Sequence, residues 1–198
     1  MITDISSLNF ETTYSYADYM KWNFDEKVEL IKGRISKMSP APLRKHQMVS
    51  SELLKQIFNS KSIKACQVYH APFDVRLQDK KKSTNDKDIF TVVQPDISII
   101  CDESKLDERG CLGAPDCIFE VASKSTLQKD IKIKYNLYEE NEVREYWIVF
   151  PNEKAVMVYD LDKNGVYQPR PIDEDQRYVE LKILDDFRID LDEVFRNS

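Results

Sequence analysis

The chain has 198 residues, with 29 lysines and arginines against 35 aspartates and glutamates, a formal charge of -6, and 41% hydrophobic residues that include 10 Tyr, 9 Phe and 2 Trp. That is material for one well-filled domain over residues 1–198 rather than a disordered chain, and the acidic balance excludes a global basic field for a polyanion while leaving room for a local basic strip. With 4 Gly, 2 His and no CxxC among 4 Cys, no GxxxxGK[ST], GxGxxG or GxSxG motif and no multi-histidine zinc site can be written, which leaves chemistry done by carboxylates, lysines and hydroxyls.

The N-terminal MITDISSLNFETTYSY has neither a basic n-region nor an apolar h-region, and no apolar run approaches the roughly 18 residues of a membrane span. With Cys66, Cys101, Cys111 and Cys117 in no paired motif, a reducing compartment, the cytoplasm, is expected. Tyr14 to Trp22 reads as a short aromatic helix. Val28 to Met38 reads as a hairpin about Lys32-Gly33, with glycine where positive φ is needed. Met38 to Pro42 is a stiff extended link, because each proline fixes φ and biases its predecessor away from helix. From Arg44 to Asn59 the apolar residues recur with helical period. Ala65 to His70, Phe73 to Leu77 and Phe90 to Cys101 read as strands, with a solvated loop at QDKKKSTNDKD and a second loop from Asp102 to Asp116. Cys117 to Ala122 is a short apolar run that fits a buried strand. Leu127 to Glu140 reads as a helix. Arg144 to Phe150 and Ala155 to Asp160 form a hairpin across Pro151-Asn152, and a strand near Tyr178 to Leu184 precedes a last turn at Leu191 to Phe195. The order predicts an α/β (α+β) fold, a mixed β-sheet flanked by helices.

Two carboxylates stand in apolar strands. Asp96 begins QPDISII, and Glu120 shares a face of CIFEVA with Ile118 and Ala122. An ionised acid there costs several kcal/mol unless a cation or hydrogen bonds satisfy it. If the two strands are neighbours the carboxylates converge, and two charges about 4 Å apart repel by about 4 kcal/mol at an effective dielectric of about 20, so such a pair shares a proton or holds a metal. On a wheel of about 100° per residue, Lys134 falls in the apolar stripe of Leu127, Ile131 and Tyr138, with Asp130 one turn earlier. Either Asp130 and Lys134 are an ordinary i,i+4 pair, or Lys134 points at Glu120. Oxygen ligands without a histidine cluster select Mg²⁺, with Mn²⁺ as the alternative, and suit phosphodiester hydrolysis.

Five blocks carry a resemblance: VELIKGRISKMSPAPLRKHQ, FDVRL, VVQPDISIICD, GAPDCIFEVASKST and DIKIKYNLYEENEVREYWIVFP. In this order they resemble the Uma-type putative restriction endonuclease family of the PD-(D/E)xK nuclease superfamily, over about residues 16–161, with a C-terminal strand and turn beyond. The resemblance implies a restriction-endonuclease-like core with Asp96 and Glu120 as metal ligands. The lysine normally two residues after the glutamate is Ala122 here, and Lys134 takes its place through the pattern of Asp130, Lys134 and Tyr138. Glu29 and His46 match family positions and would act in support with Asp130. Lys124 replaces the family's usual proline and, with Lys129 and Lys132, forms the candidate phosphate strip. Each has a plainer alternative: Glu29 pairing with Arg34 across the hairpin, His46 capping or packing, Tyr138 filling core, Asp74 merely supporting, the three lysines a solvated face.

The expected activity is a Mg²⁺-dependent endonuclease acting on nucleic acid, DNA in the first instance, with no membrane partner. A homodimer through the hairpin around Tyr146 to Tyr159 is an open option. The alternative is a non-catalytic binding or assembly module in which Lys134 neutralises the acids.

Overall fold

The computed structural model describes residues 1–38, 43–78, 83–123, 127–173 and 175–196. The prolines of the expected extended link, at 40 and 42, and Lys124 lie outside the described residues. The N-terminal helix is one turn, α1 (Tyr16–Tyr19), at whose start the Asp18 carboxylate accepts the Ser15 backbone N–H. The expected hairpin follows as β1 (Val28–Ile31) and β2 (Arg34–Lys37), with Lys32 at φ 51° and Gly33 at φ 80°, the double positive φ that a tight hairpin turn requires. Next come α2 (Arg44–Phe58), β3 (Gln67–His70) and β4 (Val75–Leu77).

The segment from Phe90 to Cys101 is not one strand. It divides into β5 (Thr91–Val93) and β6 (Ile97–Ile100), which belong to different sheets. Pro95 sits at the break: without an N–H it cannot serve in a central ladder, so the chain leaves one sheet and enters the other around it. The expected loop from 102 to 116 likewise contains a small hairpin, β7 (Leu106–Asp107) and β8 (Gly110–Leu112), whose arms of two and three residues are too short for alternation to be read. The remaining elements are β9 (Cys117–Val121), a π-helical segment (Lys129–Lys134) running into α3 (Tyr135–Glu140), β10 (Glu145–Phe150), β11 (Ala155–Leu161), β12 (Tyr167–Pro169), β13 (Tyr178–Glu180), β14 (Arg188–Asp190) and α4 (Leu191–Phe195).

Among the described residues the strands form two six-stranded sheets, ordered β12-β11-β10-β9-β6-β3 and β2-β1-β5-β4-β8-β7, and a β13–β14 ribbon. Both large sheets are mixed, with β9–β10 and β4–β8 as their parallel pairs. All five residues of β9 are buried, as the uninterrupted apolar run requires. Helix α2 covers one face of its sheet, burying Val49, Leu53 and Ile57, four residues apart, against Ile97, Ile99, Phe119 and Val121. Each such side chain contributes about 1.5–3 kcal/mol. On the other face, Leu137 and Tyr138 of α3 pack on Ile118, Tyr146 and Ile148.

Two expectations fail here. The β10–β11 hairpin is not an exposed edge, because β9 and β12 flank it, so the dimer surface expected around Tyr146 to Tyr159 does not exist as an edge. The four cysteines are not all thiols: Cys66 and Cys101, one register step beyond the Gln67↔Ile100 pair of β3 and β6, form a disulfide, while Cys111 and Cys117 are free and buried. The cysteine pattern therefore does not argue for a reducing compartment.

Candidate active site

Asp96 stands at the end of β6 where the chain crosses from one sheet to the other. β6 and β9 are neighbours, and their register ends at Ile97↔Phe119, so one further step sets Asp96 opposite Glu120. The Asp96 carboxylate is fixed through one oxygen. Oδ2 accepts the Val121 backbone N–H at 2.7 Å and lies 3.2 Å from His46 Nε2. His46 comes from the first turn of α2, and its Nδ1 is buried without a hydrogen-bond partner among the described residues.

Glu120 is 4% exposed and Lys134 5% exposed. Lys134 Nζ donates to Glu120 Oε1 at 2.6 Å and lies 3.3 Å from Glu29 Oε1. The Tyr138 hydroxyl donates to the same Glu120 Oε1 at 2.7 Å. Glu29, in β1 of the other sheet, also accepts the Gln94 backbone N–H at 3.1 Å and the Lys129 ammonium through Oε2. A lysine from one helical segment thus joins carboxylates of both sheets.

The π-helical winding accounts for this and for a departure from the wheel. The Tyr135 N–H bonds the Asp130 carbonyl five residues back rather than four, and the Tyr146 hydroxyl reaches the same carbonyl at 3.1 Å. The wider turn puts Asp130 and Lys134 inside together and turns residues 131–133 outward, so Ile131 is exposed instead of joining the buried stripe. Asp130 and Lys134 are accordingly no surface pair. Glu29 does not pair with Arg34, which reaches Phe10 O and Glu11 instead.

Among the described residues the cluster sets four acids, Glu29, Asp96, Glu120 and Asp130, against Lys129, Lys134 and the His46 imidazole beside Asp96. Burial pushes the Glu120 carboxyl up to about 8, against the pull of Lys134, and Asp130, Asp96 and Glu29 add to the push. Burial pushes Glu29 up as well, but Lys134 and Lys129 outweigh it and hold that carboxyl below its ordinary value. For Lys134 burial opposes the charge, and Glu120, Glu29 and Asp130 overcome it, keeping the ammonium well above the usual lysine range. His46 behaves alike: burial lowers it, and the Asp96 carboxylate more than offsets that.

The phosphate strip does not hold as one face. Lys129 turns inward to Glu29, whereas Lys132 is exposed. Asp74 accepts Gln94 Nε2 at 2.8 Å. The sequence pointed neither to Gln94, whose backbone serves Glu29, nor to a role for the hydroxyl of Tyr138, which the family pattern includes without giving it a partner. Among the described residues no group of three or more His, Cys, Asp or Glu is arranged to hold a metal ion. Mg²⁺ asks for less, taking one or two carboxylates and completing its shell with water and substrate oxygens. The oxygen donors of Asp96 and Glu120, on adjacent strands where acids outnumber lysines, fit it, whereas Glu29 is occupied by two lysines. No helix among the described residues is long and apolar enough to cross a membrane.

A mixed sheet with a helix on each face and an acid–acid–lysine set beside its adjacent strands defines the class, an α+β protein with a restriction-endonuclease-like core. The sequence matches the Uma2 family, described as putative restriction endonuclease, over residues 16–192, and the chain belongs to that family. It is similar in structure to a putative nuclease belonging to DUF820 from Anabaena variabilis ATCC 29413, with a TM-score of 0.70, 19% identity, and 92% of this chain and 97% of that one covered. At that identity the likeness shows the fold. No curated protein matches the chain.

Proposed function

We propose that the protein is a divalent-metal-dependent nuclease that hydrolyses phosphodiester bonds of nucleic acid, with DNA as the expected polymer. The observation that carries this reading is the Lys134 ammonium held at 2.6 Å from Glu120, behind a carboxylate that stands in register with Asp96. Family membership supports the reading. Asp96 and Glu120 would hold Mg²⁺, or Mn²⁺ in its place. When bound, such a cation supplies a more acidic water and offsets charge building on the phosphate. The chain's own groups do the rest. Val121 N–H and His46 fix Asp96 through Oδ2, and Glu29 holds Lys134 from behind. The Lys134 ammonium orients the attacking water and stabilises the charge that develops as it attacks phosphorus. Lys132, exposed beside the site, contacts a backbone phosphate.

The bridging of Glu120 and Glu29 by one lysine also suits a second reading, in which the cluster is a neutralised core of a non-catalytic binding module. One assay separates them. The purified protein is incubated with double-stranded DNA, single-stranded DNA and RNA, in Mg²⁺, Mn²⁺ or chelator. Cleavage that needs metal and falls at least about 10²-fold in Asp96→Asn, Glu120→Gln and Lys134→Ala is expected. Equal rates in wild type and all three variants overturn the nuclease reading.

A further inference from the structure

Resting on the metal reading above, we infer that Tyr138 is a positioning residue for the cation site, its hydroxyl deciding which oxygen of Glu120 is presented to a metal. Tyr138 OH and Lys134 Nζ donate to the same atom, Glu120 Oε1, at 2.7 and 2.6 Å. A carboxylate oxygen offers two lone-pair sites, so these donors fill Oε1 and turn the remaining acceptor capacity of Glu120 to Oε2. Lys134 alone does not make that choice, since its ammonium is shared with Glu29 Oε1 at 3.3 Å and the last torsion of a glutamate is broad and twofold. Tyr138 is the rigid member. It is fully buried, and its ring meets the Tyr146 ring edge-on at 5.0 Å, a contact that needs neither hydroxyl. Phenylalanine would fill the same space, so packing does not require the hydroxyl.

The test is Mn²⁺ titration of the full chain, following free Mn²⁺ by electron paramagnetic resonance. Wild type is compared with Tyr138→Phe, Tyr146→Phe and Glu120→Gln, each confirmed folded by its melting curve. Tyr146→Phe is the matched control, removing a buried hydroxyl of the same aromatic cluster that serves a backbone carbonyl instead of Glu120. Outer-shell partners of metal ligands are worth about 10–100-fold in affinity, so Tyr138→Phe is expected to weaken Mn²⁺ binding about tenfold or more while Tyr146→Phe binds as wild type. Unchanged affinity in Tyr138→Phe, with loss in Glu120→Gln, overturns the role of Tyr138 and leaves the metal site standing. Equal weakening in both tyrosine variants overturns it too, because the loss then follows core packing. Wild type that binds no Mn²⁺ overturns the metal reading itself, and the role of Tyr138 with it.

Discussion

Two buried ionic networks lie at opposite ends and on opposite faces of the parallel pair β9–β10, and they are built differently. Glu145 opens β10 opposite Cys117 and shares the Trp147 face, while Glu120 lies near the end of β9 opposite Ile148 and shares the Ile118 face. Glu145 is satisfied through both oxygens. Oε1 takes Trp147 Nε1 and Arg170 at 2.9 Å each, and Oε2 takes the Ile183 N–H at 3.2 Å. Arg170 also reaches Asp160, which Lys182 meets at 2.8 Å, so two acids face two cations. Around Glu120, acids outnumber lysines and both donors crowd one oxygen. Buried charge alone therefore does not mark a site in this molecule. What sets the proposed site apart is more acids than lysines, next to a carboxylate that water can reach: the side chain of Asp96 is 22% exposed.

Several changes would break or sharpen that contrast. The largest expected difference is in cleavage. Lys134→Ala should lose at least about 10²-fold of rate, whereas Arg170→Ala keeps the rate of wild type when assayed below its melting point. Equal losses in both would erase the distinction between site and scaffold. In urea unfolding the emphasis reverses: Arg170→Ala leaves Glu145 buried without its cation and should cost about 3–5 kcal/mol. The disulfide belongs with the scaffold, since Asp96 precedes β6 at one end and Cys101 follows it at the other. Replacing Cys66 and Cys101 by serine should cost about 2–4 kcal/mol and leave Mn²⁺ affinity unchanged, as urea melts and metal titration would report.

The smallest effect concerns pH. Burial raises the Asp160 carboxyl, but Arg170 and Lys182 outweigh it and hold it below its ordinary value. A depressed acid stabilises the fold above its unfolded value of about 3.9 and loses that contribution as pH falls through the lower folded value. Asp160→Asn should therefore cost about 1 kcal/mol at neutral pH. The gap between its melting temperature and that of wild type should narrow as the pH is taken below about 4. A gap that persists in acid would assign the loss to packing.

Much of the architecture was legible because local pattern decides it: the Lys32-Gly33 hairpin, the periodicity of α2, the apolar run of β9 and the hairpin at Pro151-Asn152. Asp96, Glu120 and Lys134 could be picked out because charged residues in apolar settings are expensive. What escaped depends on long-range pairing or on winding. Nothing near Glu29 in the chain announces that its partners are Lys129 and Lys134, about a hundred residues away. Pro95 was visible, but that it separates two sheets is a matter of topology. The wheel failed at Ile131 because a π-turn adds a residue that a 3.6-residue period does not contain. The hydroxyl of Tyr138 looked like core because its ring is core.

Lys134 bridges Glu29 on one sheet and Glu120 on the other, and this has a bearing on the protein's birth. A chain still emerging from the ribosome holds Glu29 and Asp96 early, yet the lysine that completes the set lies in a segment made later, and the contacts close only when the two sheets have docked. A partly made or partly folded chain thus carries these residues without their arrangement. On the proposed nuclease reading, late assembly of this kind would keep an unfinished chain inactive without an inhibitor.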